Sequence, residues 1–328
     1  MRALICGISG QDGAYLADSL LRKGYHVIGT SRDAQTASFS SLARLGIADR
    51  LQLESMATHD FRSVLQVLRK AEPDEIYNLS GQSSVGLSFG QPVETLDSII
   101  AGTLNLLESI RFLDKPMRFY SAGSGECFGD TDAAGATEET PFRPRSPYAV
   151  AKSTTFWLVA NYRDAYRLHA STGVLFNHES PLRPHRFVTR KIVATAARIA
   201  KGSTEKLTLG NLSIQRDWGW APEYVEAMWK ILQRDVPDDF VIATGVSHSL
   251  EDFVRETFAQ LGLNWRDHTV VSDSFYRPTD ITHGKGNPGK AERLLKWKAQ
   301  SQMKDVIAKM VKAELESGQP EPAPINRF

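Results

Sequence analysis

Short apolar runs alternate with longer amphipathic segments through the first half of the chain, and this pattern predicts a repeated strand–helix unit. The apolar runs predict strands at Arg2–Cys6, Val27–Thr30, Leu51–Leu53, Glu75–Leu79, Arg118–Ala122 and Ala170–Leu175. The amphipathic segments predict helices at 14–23, 61–70, 92–112 and 146–167. Strands that alternate with helices are typical of a parallel sheet covered on both faces. The predicted fold class is therefore α/β, with a Rossmann-type doubly wound parallel sheet.

The regular alternation ends after residue 176, which predicts a change of domain. We expect a dinucleotide-binding Rossmann domain at 1–176 and a smaller mixed α/β C-terminal substrate lobe at 177–328, with a strand near 239–243 that returns to the first domain. The remaining predicted elements are a polar turn at Asn177–Pro181, a helix that begins near Arg186–Lys191, a short apolar run at Lys206–Leu209, helices at Val225–Gln233 and Leu250–Leu261, and a frayed Pro-rich tail at Gly318–Phe328.

Composition excludes several classes of protein. Among 328 residues, 41% are hydrophobic and 23% are charged, which is typical of a soluble globular protein. Because 39 basic residues balance 38 acidic ones, no overall field attracts nucleic acid or a membrane. No apolar stretch is long enough to span a bilayer. The two cysteines form no C-x-x-C pattern, and no histidines are paired at metal-ligand spacing, so we expect a cytoplasmic protein without a metal.

The glycine-rich turn after the first strand predicts a dinucleotide site. Gly7, Gly10 and Gly13 stand between a strand and a helix, which is the order that a pyrophosphate-binding turn requires. The cofactor-binding residues predicted at this turn are Gly7, Gly10, Gln11, Asp12 and Gly13. Leu79 and Ser80 at the end of the fourth strand, and Tyr148 and Lys152 further along the chain, are also predicted to bind the cofactor.

The end of the second strand bears on the choice of cofactor. Arg32 suits the 2′-phosphate of NADP, whereas an acidic residue binds the free ribose hydroxyl of NAD. Arg32 comes first and favours NADP, and the neighbouring Asp33 keeps NAD open.

The stretch from Phe119 to Lys152 carries the candidate chemistry. Ser146 and Pro147 suit the start of a helix, which places Tyr148 and Lys152 on one face at i,i+4 spacing. An ammonium beside a phenol favours the phenolate. Since a free phenol has a pKa near 10, ionisation near neutrality costs roughly 4 kcal/mol. Lys152 alone is not expected to supply all of this, so a second positive group, such as an oxidised nicotinamide, is expected nearby.

Two further polar residues follow the fifth strand. Ser124 and Glu126 stand at its carboxyl end, which faces the ligand crevice in a parallel sheet. Beyond residue 176, cations are dispersed in the sequence at Arg186, Arg190, Lys191, Arg216 and Arg277. If these cations converge, they suit a diphosphate, for which the guanidinium fork is well matched.

Several longer motifs add a family resemblance that covers nearly the whole chain. They are GISGQDGAYLA (7–17), TPFRPRSPYAVAK (140–152), LFNHESPLR (175–183), FVTRK (187–191), LGNLSIQRDWG (209–219), VEAMW (225–229), DDFVIATG (238–245) and YRPTD (276–280). With these motifs the chain resembles the GDP-mannose 4,6-dehydratases of the extended short-chain dehydrogenase/reductase superfamily.

The resemblance implies a tightly held NADP, a GDP-sugar between the two lobes, and a homodimer or homotetramer. It implies that Glu126 is the catalytic glutamate, that Tyr148 and Lys152 are the catalytic tyrosine and lysine, and that Ser124 replaces a threonine. The substrate-binding residues that it implies are Ser83, Asn177, Glu179, Lys191, Leu209, Gly210, Arg216, Arg277 and Asp280.

The implied reaction is transient oxidation at C4, loss of water across C5 and C6, and return of the hydride to C6. Two departures from the family pattern bear on it. Ser124-Gly125 replaces Thr-Ser before Glu126, which is expected to loosen the turn, and Pro184 replaces a glycine. Three alternatives therefore stay open: a GDP-heptose 4,6-dehydratase, a GDP-4-keto-6-deoxymannose reductase, and a nucleotide-sugar-binding protein with impaired catalysis.

Overall fold

The computed structural model describes residues 1–317, so the predicted frayed tail at 318–328 lies outside the described residues. The strands are β1 (Arg2–Cys6), β2 (His26–Ser31), β3 (Gln52–Ser55), β4 (Glu75–Asn78), β5 (Arg118–Ser124), β6 (His169–Leu175), β7 (Asn177–Glu179), β8 (Leu207–Leu209), β9 (Gln215–Trp220), β10 (Phe240–Ile242), β11 (Ser247–Ser249) and β12 (Thr269–Val271).

The helices lie between these strands and after them. They are α1 (Gln11–Arg22), α2 (Ser40–Arg44), α3 (Phe61–Ala71), α4 (Val85–Gly90), α5 (Pro92–Leu96), α6 (Gly102–Leu113), α7 (Pro147–Tyr166), α8 (Val188–Ala200), α9 (Ala221–Leu232), α10 (Leu250–Gln260), α11 (Gly289–Leu295) and α12 (Met303–Glu316). None of the helices within residues 1–317 has both the length and the apolar content that crossing a membrane requires.

A seven-stranded parallel sheet forms the centre of the molecule, in the order β10-β6-β5-β4-β1-β2-β3. The chain starts in the middle of this sheet, so the strand order reverses between β1 and β4. In an open parallel sheet, the crevice outside the carboxyl ends of the strands at such a reversal is where ligands bind. The predicted α/β class with a doubly wound parallel sheet is confirmed.

Both faces of the sheet are covered by helices. One face buries apolar side chains from α1 and α9, including Leu20, Val225 and Met228. The opposite face buries side chains from α3, α6 and α7, including Leu68, Leu107 and Val159. Each helix therefore buries one apolar stripe, as the amphipathic pattern predicts.

The chain after residue 176 contributes to both parts of the molecule. β10 pairs in parallel with β6, with Phe240 opposite Gly173, so the predicted return of a strand near 239–243 is confirmed. The helices α8, α10 and α12 enclose a separate core that includes Trp218 and Phe253. β7, β9 and β11 form a small sheet, and β8 pairs with β12.

Several predictions about local structure were wrong. Asn177–Glu179 forms strand β7 instead of a turn, because it pairs with β9 far along the chain. The predicted helix at 92–112 is divided by one π-helical turn at Asp97–Ala101 between α5 and α6. The first helix begins at Gln11, before the predicted start at Ala14, because Gly10 takes an extended conformation at the N-cap.

The segment between β5 and α7 is joined to the chain near residue 280. The Oδ1 atom of Asp130 accepts hydrogen bonds from the amides of Thr282 (2.6 Å) and His283 (2.9 Å). Ala136 forms an isolated bridge with Gly286. These contacts fix the residues that follow Glu126 against the segment that carries two other predicted site residues.

Candidate active site

Glycines shape the turn between β1 and α1 at two positions where a side chain does not fit. Gly7 has a φ of +85°, and a Cβ atom there would lie 2.8 Å from the carbonyl oxygen of Leu79. A Cβ atom on Gly13 would lie 2.4 Å from the carbonyl oxygen of Gly7. The turn is therefore as tight, and α1 as close to it, as a pyrophosphate-binding turn requires.

The first turn of α1 presents backbone amides that no side chain caps. Ser9 and Gly10 are exposed, and a Cβ atom on Gly10 would have only the carbonyl oxygen of Gly7 nearby, at 3.4 Å. Leu79 and Ser80 border the same turn. Because bare amides at the start of a helix attract phosphate, this open turn fits the pyrophosphate of a dinucleotide.

The predicted cofactor residues Gln11 and Asp12 contact β7 and Ser180, which follows it. The Nε2 atom of His178 lies 2.9 Å from Oδ2 of Asp12, and its Nδ1 atom lies 2.7 Å from the carbonyl oxygen of Phe176. Gln11 donates to the carbonyl oxygen of His178 at 3.2 Å and accepts from the Ser180 hydroxyl at 2.7 Å. The start of α1 is therefore fixed to β7.

Charge accounts for the ionisation of the partly buried Asp12–His178 pair. Burial favours the uncharged forms of both groups, but the opposite charges and the shared hydrogen bond outweigh burial. The pKa of Asp12 is consequently lowered and the pKa of His178 is raised. Since both ring nitrogens face oxygen acceptors, the geometry suits an imidazolium that donates twice.

At the end of β2, the two residues that bear on the choice of cofactor differ in their contacts. Arg32 is exposed. The Asp33 carboxylate accepts from the hydroxyl of Thr36 at 2.8 Å and from the amide of Gln35 at 2.9 Å. The hydrogen bond from Thr36 contributes most to lowering the pKa of Asp33. Asp33 is thus occupied within its own loop, whereas Arg32 is available to a ligand.

The start of α7 brings Tyr148 and Lys152 into the crevice. Ser146 caps the helix, because its hydroxyl accepts from the amide of Ala149 at 3.1 Å. Tyr148 and Lys152 are each only 9% exposed. The Lys152 ammonium donates to the carbonyl oxygen of Ala122 at 2.7 Å and lies 6.0 Å from the centre of the Tyr148 ring. The helix start that the sequence predicts therefore places both groups at the end of β5.

Burial opposes the charged forms of this pair. It raises the pKa of Tyr148 above the usual value for a phenol, although the Ser124 hydroxyl lowers it in part. Burial also lowers the pKa of Lys152 to about 8. The pair in this state is therefore less ionised than free side chains would be. The expectation that Lys152 alone does not generate a phenolate agrees with these directions.

The Gly123-Ser124-Gly125 turn carries Glu126 and is closely packed. The Ser124 hydroxyl accepts from the Glu126 amide at 3.3 Å. A Cβ atom on Gly125 would lie 3.0 Å from three ring carbons of Phe176, and one on Gly123 would lie 2.8 Å from a methyl carbon of Thr172. The expectation that these small residues loosen the turn was wrong, because β6 and the Phe176 ring occupy the space that larger side chains would take.

A chain of ion pairs leads from Glu126 to the segment near residue 280. The Nε atom of Arg216 lies 3.7 Å from Oε1 of Glu126. The same guanidinium donates to Oδ1 of Asp280 at 2.9 Å, and Arg277 donates to that oxygen at 3.3 Å. The structure therefore brings together four of the predicted site residues from three distant parts of the sequence.

A cavity of ≈ 180 Å³ lies between α8, β8 and Phe275, and none of the four residues of this cluster lines it. Lys191 lines it, donates to the carbonyl oxygen of Thr208 at 2.7 Å, and lies 4.3 Å from the centre of the Phe275 ring. The remaining lining residues are His185, Ala194, Thr195, Arg198, Glu205, Lys206 and Leu207. The cavity combines a flat aromatic ring with polar groups, which suits a nucleoside.

Other predicted substrate residues border these features. Leu209 is buried at the end of β8, and a Cβ atom on Gly210 would lie 2.9 Å from the carbonyl oxygen of Phe275. Asn177 is partly buried on β7, and Ser83 is exposed in the loop after β4.

The Glu179 carboxylate is engaged inside the protein. Its side chain is 2% exposed, and Oε2 accepts from the Thr189 hydroxyl at 2.7 Å and lies 3.2 Å from Nε of Arg183. These contacts fix β7 to the start of α8. The structure therefore supports a positioning role for Glu179, and it does not bring this carboxylate to the open crevice.

Comparison with known proteins identifies the family. Residues 4–310 match the family model described as GDP-mannose 4,6 dehydratase. The chain belongs to this family. It is 42% identical to GDP-mannose 4,6 dehydratase 1 of Arabidopsis thaliana over 324 aligned residues. This alignment covers 96% of this chain and 90% of the relative. It is 40% identical over 339 residues to the GDP-mannose 4,6 dehydratase of Homo sapiens, covering 96% and 91%. The predicted family membership is confirmed.

Solved structures show the same fold at lower identity. A Thermus thermophilus UDP-glucose 4-epimerase complexed with NAD has a TM-score of 0.84 and 23% identity, covering 97% of this chain and 100% of that one. A Streptomyces venezuelae dTDP-glucose 4,6-dehydratase with NAD and TYD bound has a TM-score of 0.83 and 21% identity, covering 95% and 96%. This member of the GDP-mannose 4,6-dehydratase family therefore shares its architecture with other nucleotide-sugar enzymes.

Reasoning from the sequence missed three residues of this family member's site. His178 was treated as a loop residue, and Arg183 and Phe275 were not selected. Their positions gave a partial signal, since His178 and Arg183 lie in the LFNHESPLR motif and Phe275 directly precedes the YRPTD motif. Within residues 1–317, no three His, Cys, Asp or Glu side chains gather as metal ligands would.

Proposed function

We propose that this chain converts GDP-mannose to its 4-keto-6-deoxy derivative. The observation that carries the proposal is that three groups meet at the end of β5. Lys152 donates to Ala122 on β5 and lies near the Tyr148 ring. Glu126, which pairs with Arg216, is close enough to Tyr148 for its charge to add to the effect of burial in raising the pKa of that phenol. A tyrosine–lysine pair suits hydride transfer, and a carboxylate beside it supplies the proton transfer that elimination needs. A reductase of a keto-sugar requires no such carboxylate, so Glu126 favours a dehydratase.

The first step is oxidation at C4. Tyr148, as the phenolate, removes the proton of the C4 hydroxyl, and the Lys152 ammonium stabilises the negative charge on the phenol. When bound, the oxidised nicotinamide supplies a further positive charge, accepts the hydride of C4 and later returns a hydride to C6. Because burial raises the pKa of Tyr148, the phenolate depends on both positive charges.

The second step is the loss of water. The C4 ketone acidifies the hydrogen on C5, which Glu126 removes as a general base. Glu126 then gives this proton to the C6 hydroxyl, which departs as water and leaves a double bond between C5 and C6. After hydride is returned to C6, C5 takes up one proton. This uptake balances the proton that Tyr148 removed from the C4 hydroxyl.

The substrate's diphosphate is proposed to bind at Arg216 and Arg277. Both guanidiniums donate to the same oxygen of Asp280, so they lie close enough together to bind one ligand. Lys191 lines the cavity between α8 and β8, where the nucleoside is proposed to bind beside Phe275. Ser83, Asn177, Leu209 and Gly210 are proposed to complete the contacts.

NADP is the proposed cofactor, bound at the Gly7–Gly13 turn, Leu79 and Ser80. Arg32 supports it because its guanidinium is exposed at the end of β2, whereas Asp33 is occupied by Thr36 and Gln35. A guanidinium matches a phosphate better than it matches a ribose hydroxyl.

We propose a homodimer or homotetramer in the cytoplasm. Large apolar side chains are exposed on the helices, with Val93 at 78% and Trp157 at 63% exposure, and such residues are commonly covered in an oligomer. Cys6 and Cys127 are free thiols, which suits a reducing compartment. Light scattering of the purified protein tests the oligomeric state.

Product analysis tests the function. Purified protein incubated with GDP-mannose should release a product lighter by one water, without net consumption of added cofactor. A GDP-heptose run in parallel tests the substrate. Net oxidation of added NADPH by a keto-sugar, without dehydration of GDP-mannose, would instead identify a reductase. Tight GDP-mannose binding with no product would contradict catalysis.

A further inference from the structure

The Glu126 carboxylate has one close charged partner within residues 1–317, and that partner is Arg216. The Glu126 side chain is 15% exposed, and Arg216 Nε lies 3.7 Å from its Oε1 atom. No side-chain oxygen of Glu126 accepts a hydrogen bond within the described part of the chain. Glu126 is therefore restrained by an ion pair, while its oxygen lone pairs remain available to take up a proton.

Arg216 is rigid enough to restrain its partner. Its side chain is 7% exposed, and its guanidinium donates to the carbonyl oxygens of Ile281 (2.8 Å) and Gln215 (3.0 Å) and to Asp280 (2.9 Å). These three contacts use the two terminal nitrogens. The Nε edge is the part of the guanidinium that faces Glu126.

The strand that carries Arg216 is fixed from its other face. The neighbouring Asp217 is fully buried, and its Oδ1 and Oδ2 atoms accept from the amides of Thr244 and Gly245, both at 2.9 Å. β9 is thereby attached to the loop that follows β10. The guanidinium of Arg216 consequently has little freedom to move.

We propose that Arg216 positions the Glu126 carboxylate for the removal of the C5 proton, in addition to binding the diphosphate. The proposal rests on the function proposed above. A glutamate side chain has several rotatable bonds, and fixing such a chain costs up to about 2 kcal/mol of conformational entropy. The guanidinium of Arg216 contacts the Glu126 carboxylate and is also proposed to bind the diphosphate. Binding of the substrate's diphosphate therefore also determines the orientation of the Glu126 carboxylate.

Arg277 provides a matched control in the same clamp. It shares Oδ1 of Asp280 with Arg216, but its side chain is 32% exposed and has no contact with Glu126. Replacing either arginine with lysine keeps the charge and removes the planar fork. The two variants thus differ in one respect: the guanidinium removed in Arg216→Lys contacts Glu126, whereas the guanidinium removed in Arg277→Lys does not.

The experiment compares Arg216→Lys with Arg277→Lys in two measurements. Calorimetry measures the affinity for GDP, and both variants should bind GDP about tenfold more weakly than the wild type does. Rapid quenching of a single turnover at saturating GDP-mannose, followed by mass spectrometry, separates the 4-keto sugar that retains its C6 oxygen from the dehydrated product. Arg216→Lys should lose water about a hundredfold more slowly and accumulate the 4-keto sugar. Arg277→Lys should slow water loss about tenfold less than Arg216→Lys does, because its guanidinium does not contact the base.

A double-variant cycle separates positioning from a general structural effect. If Arg216 acts through Glu126, adding Arg216→Lys to Glu126→Gln should not slow water loss further, although GDP affinity should still fall. An additive loss, or an Arg216→Lys variant that loses water at the wild-type rate, would overturn the proposal. A wild-type protein that makes no product from GDP-mannose would instead overturn the proposed function.

Glu126→Asp keeps the proposal testable if Arg216→Lys does not fold, which circular dichroism would reveal. Shortening this side chain withdraws the carboxylate from Arg216 without changing the clamp. GDP affinity should stay at the wild-type value while water loss slows. Water loss at the wild-type rate would contradict the proposed positioning.

Discussion

The Nε2 atom of His178 lies 2.9 Å from Oδ2 of Asp12, and this contact joins β7 to the first turn of α1. Asp12 stands beside the backbone amides that fit a pyrophosphate, so its negative charge would repel that ligand if it were unpaired. His178 supplies the opposite charge inside the protein. The start of α1 and β7 are therefore joined by one partly buried ion pair.

Replacing Asp12 with asparagine should lower the pKa of His178. The carboxylate is what raises this pKa, and burial, which lowers it, remains in the variant. The asparagine amide can donate to Nε2 of a neutral ring, so the contact itself should persist. Histidine NMR spectra recorded against pH measure the change in the pKa of His178. An unchanged His178 titration would show that Asp12 does not set its charge.

The same pair gives stability a pH dependence with a definite sign. The pKa of His178 is raised in the folded protein, so the charged His178 stabilises the fold. This contribution to the free energy of unfolding is complete below pH 6.5 and is lost as the pH rises through the pKa of the folded state. The Asp12→Asn variant should lack this decline. Urea unfolding of both proteins between pH 6 and pH 8 measures it.

Lys152 should affect stability in the opposite sense. Burial lowers its pKa from 10.5 to about 8, so below pH 8 the folded protein holds a buried charge at a cost. As the pH rises above 8, the free energy of unfolding of the wild type should increase by up to about 1.4 kcal/mol per pH unit relative to that of Lys152→Met. Urea unfolding of both proteins between pH 7 and pH 9.5 measures this difference. A constant difference would contradict the buried ammonium.

Arg32→Ala should weaken NADP binding more than NAD binding. Losing a charged contact to the 2′-phosphate costs about 1.5–3 kcal/mol, which corresponds to roughly a 10- to 100-fold loss of affinity. The affinity for NAD should change little, because that ligand lacks the phosphate. Fluorescence titration with NADPH and NADH gives both values. Equal losses for the two ligands would argue against Arg32 as the phosphate ligand.

Gly13→Ala should destabilise the protein by about 1–3 kcal/mol through overpacking. The new methyl group would lie 2.4 Å from the carbonyl oxygen of Gly7, so α1 must move away from the turn and cofactor binding should weaken. Gly86→Ala is the matched control, because nothing lies within 4 Å of its Cβ position. Thermal melting of the two variants, with and without NADPH, tests the prediction.

Local patterns in the sequence were sufficient for the central sheet and for part of the site. Strand–helix alternation predicted the parallel order, and the Ser146-Pro147 helix start placed Tyr148 and Lys152 correctly on one face of α7. Both signals depend on residues close together in the chain. Short-range spacing determines them directly.

Contacts between distant segments could not be predicted in this way. β7 exists as a strand only because Asn177 pairs with Trp218 on β9. The Glu126–Arg216 and Asp12–His178 pairs likewise depend on contacts between segments that are far apart in the sequence. The closely packed Gly125 was misjudged for the same reason, since the Phe176 ring that fills the space comes from a different strand end.

The division of labour between Tyr148 and Glu126 is the central claim, and a single turnover of Glu126→Gln with GDP-mannose tests it most directly. Tyr148 and Lys152 are intact in this variant, so C4 should still be oxidised. Water loss should slow by about 10²- to 10⁴-fold, as expected for the loss of a general acid-base group, and mass spectrometry of the quenched reaction should show the 4-keto sugar with its C6 oxygen retained. A variant that releases the dehydrated product at the wild-type rate would contradict the account.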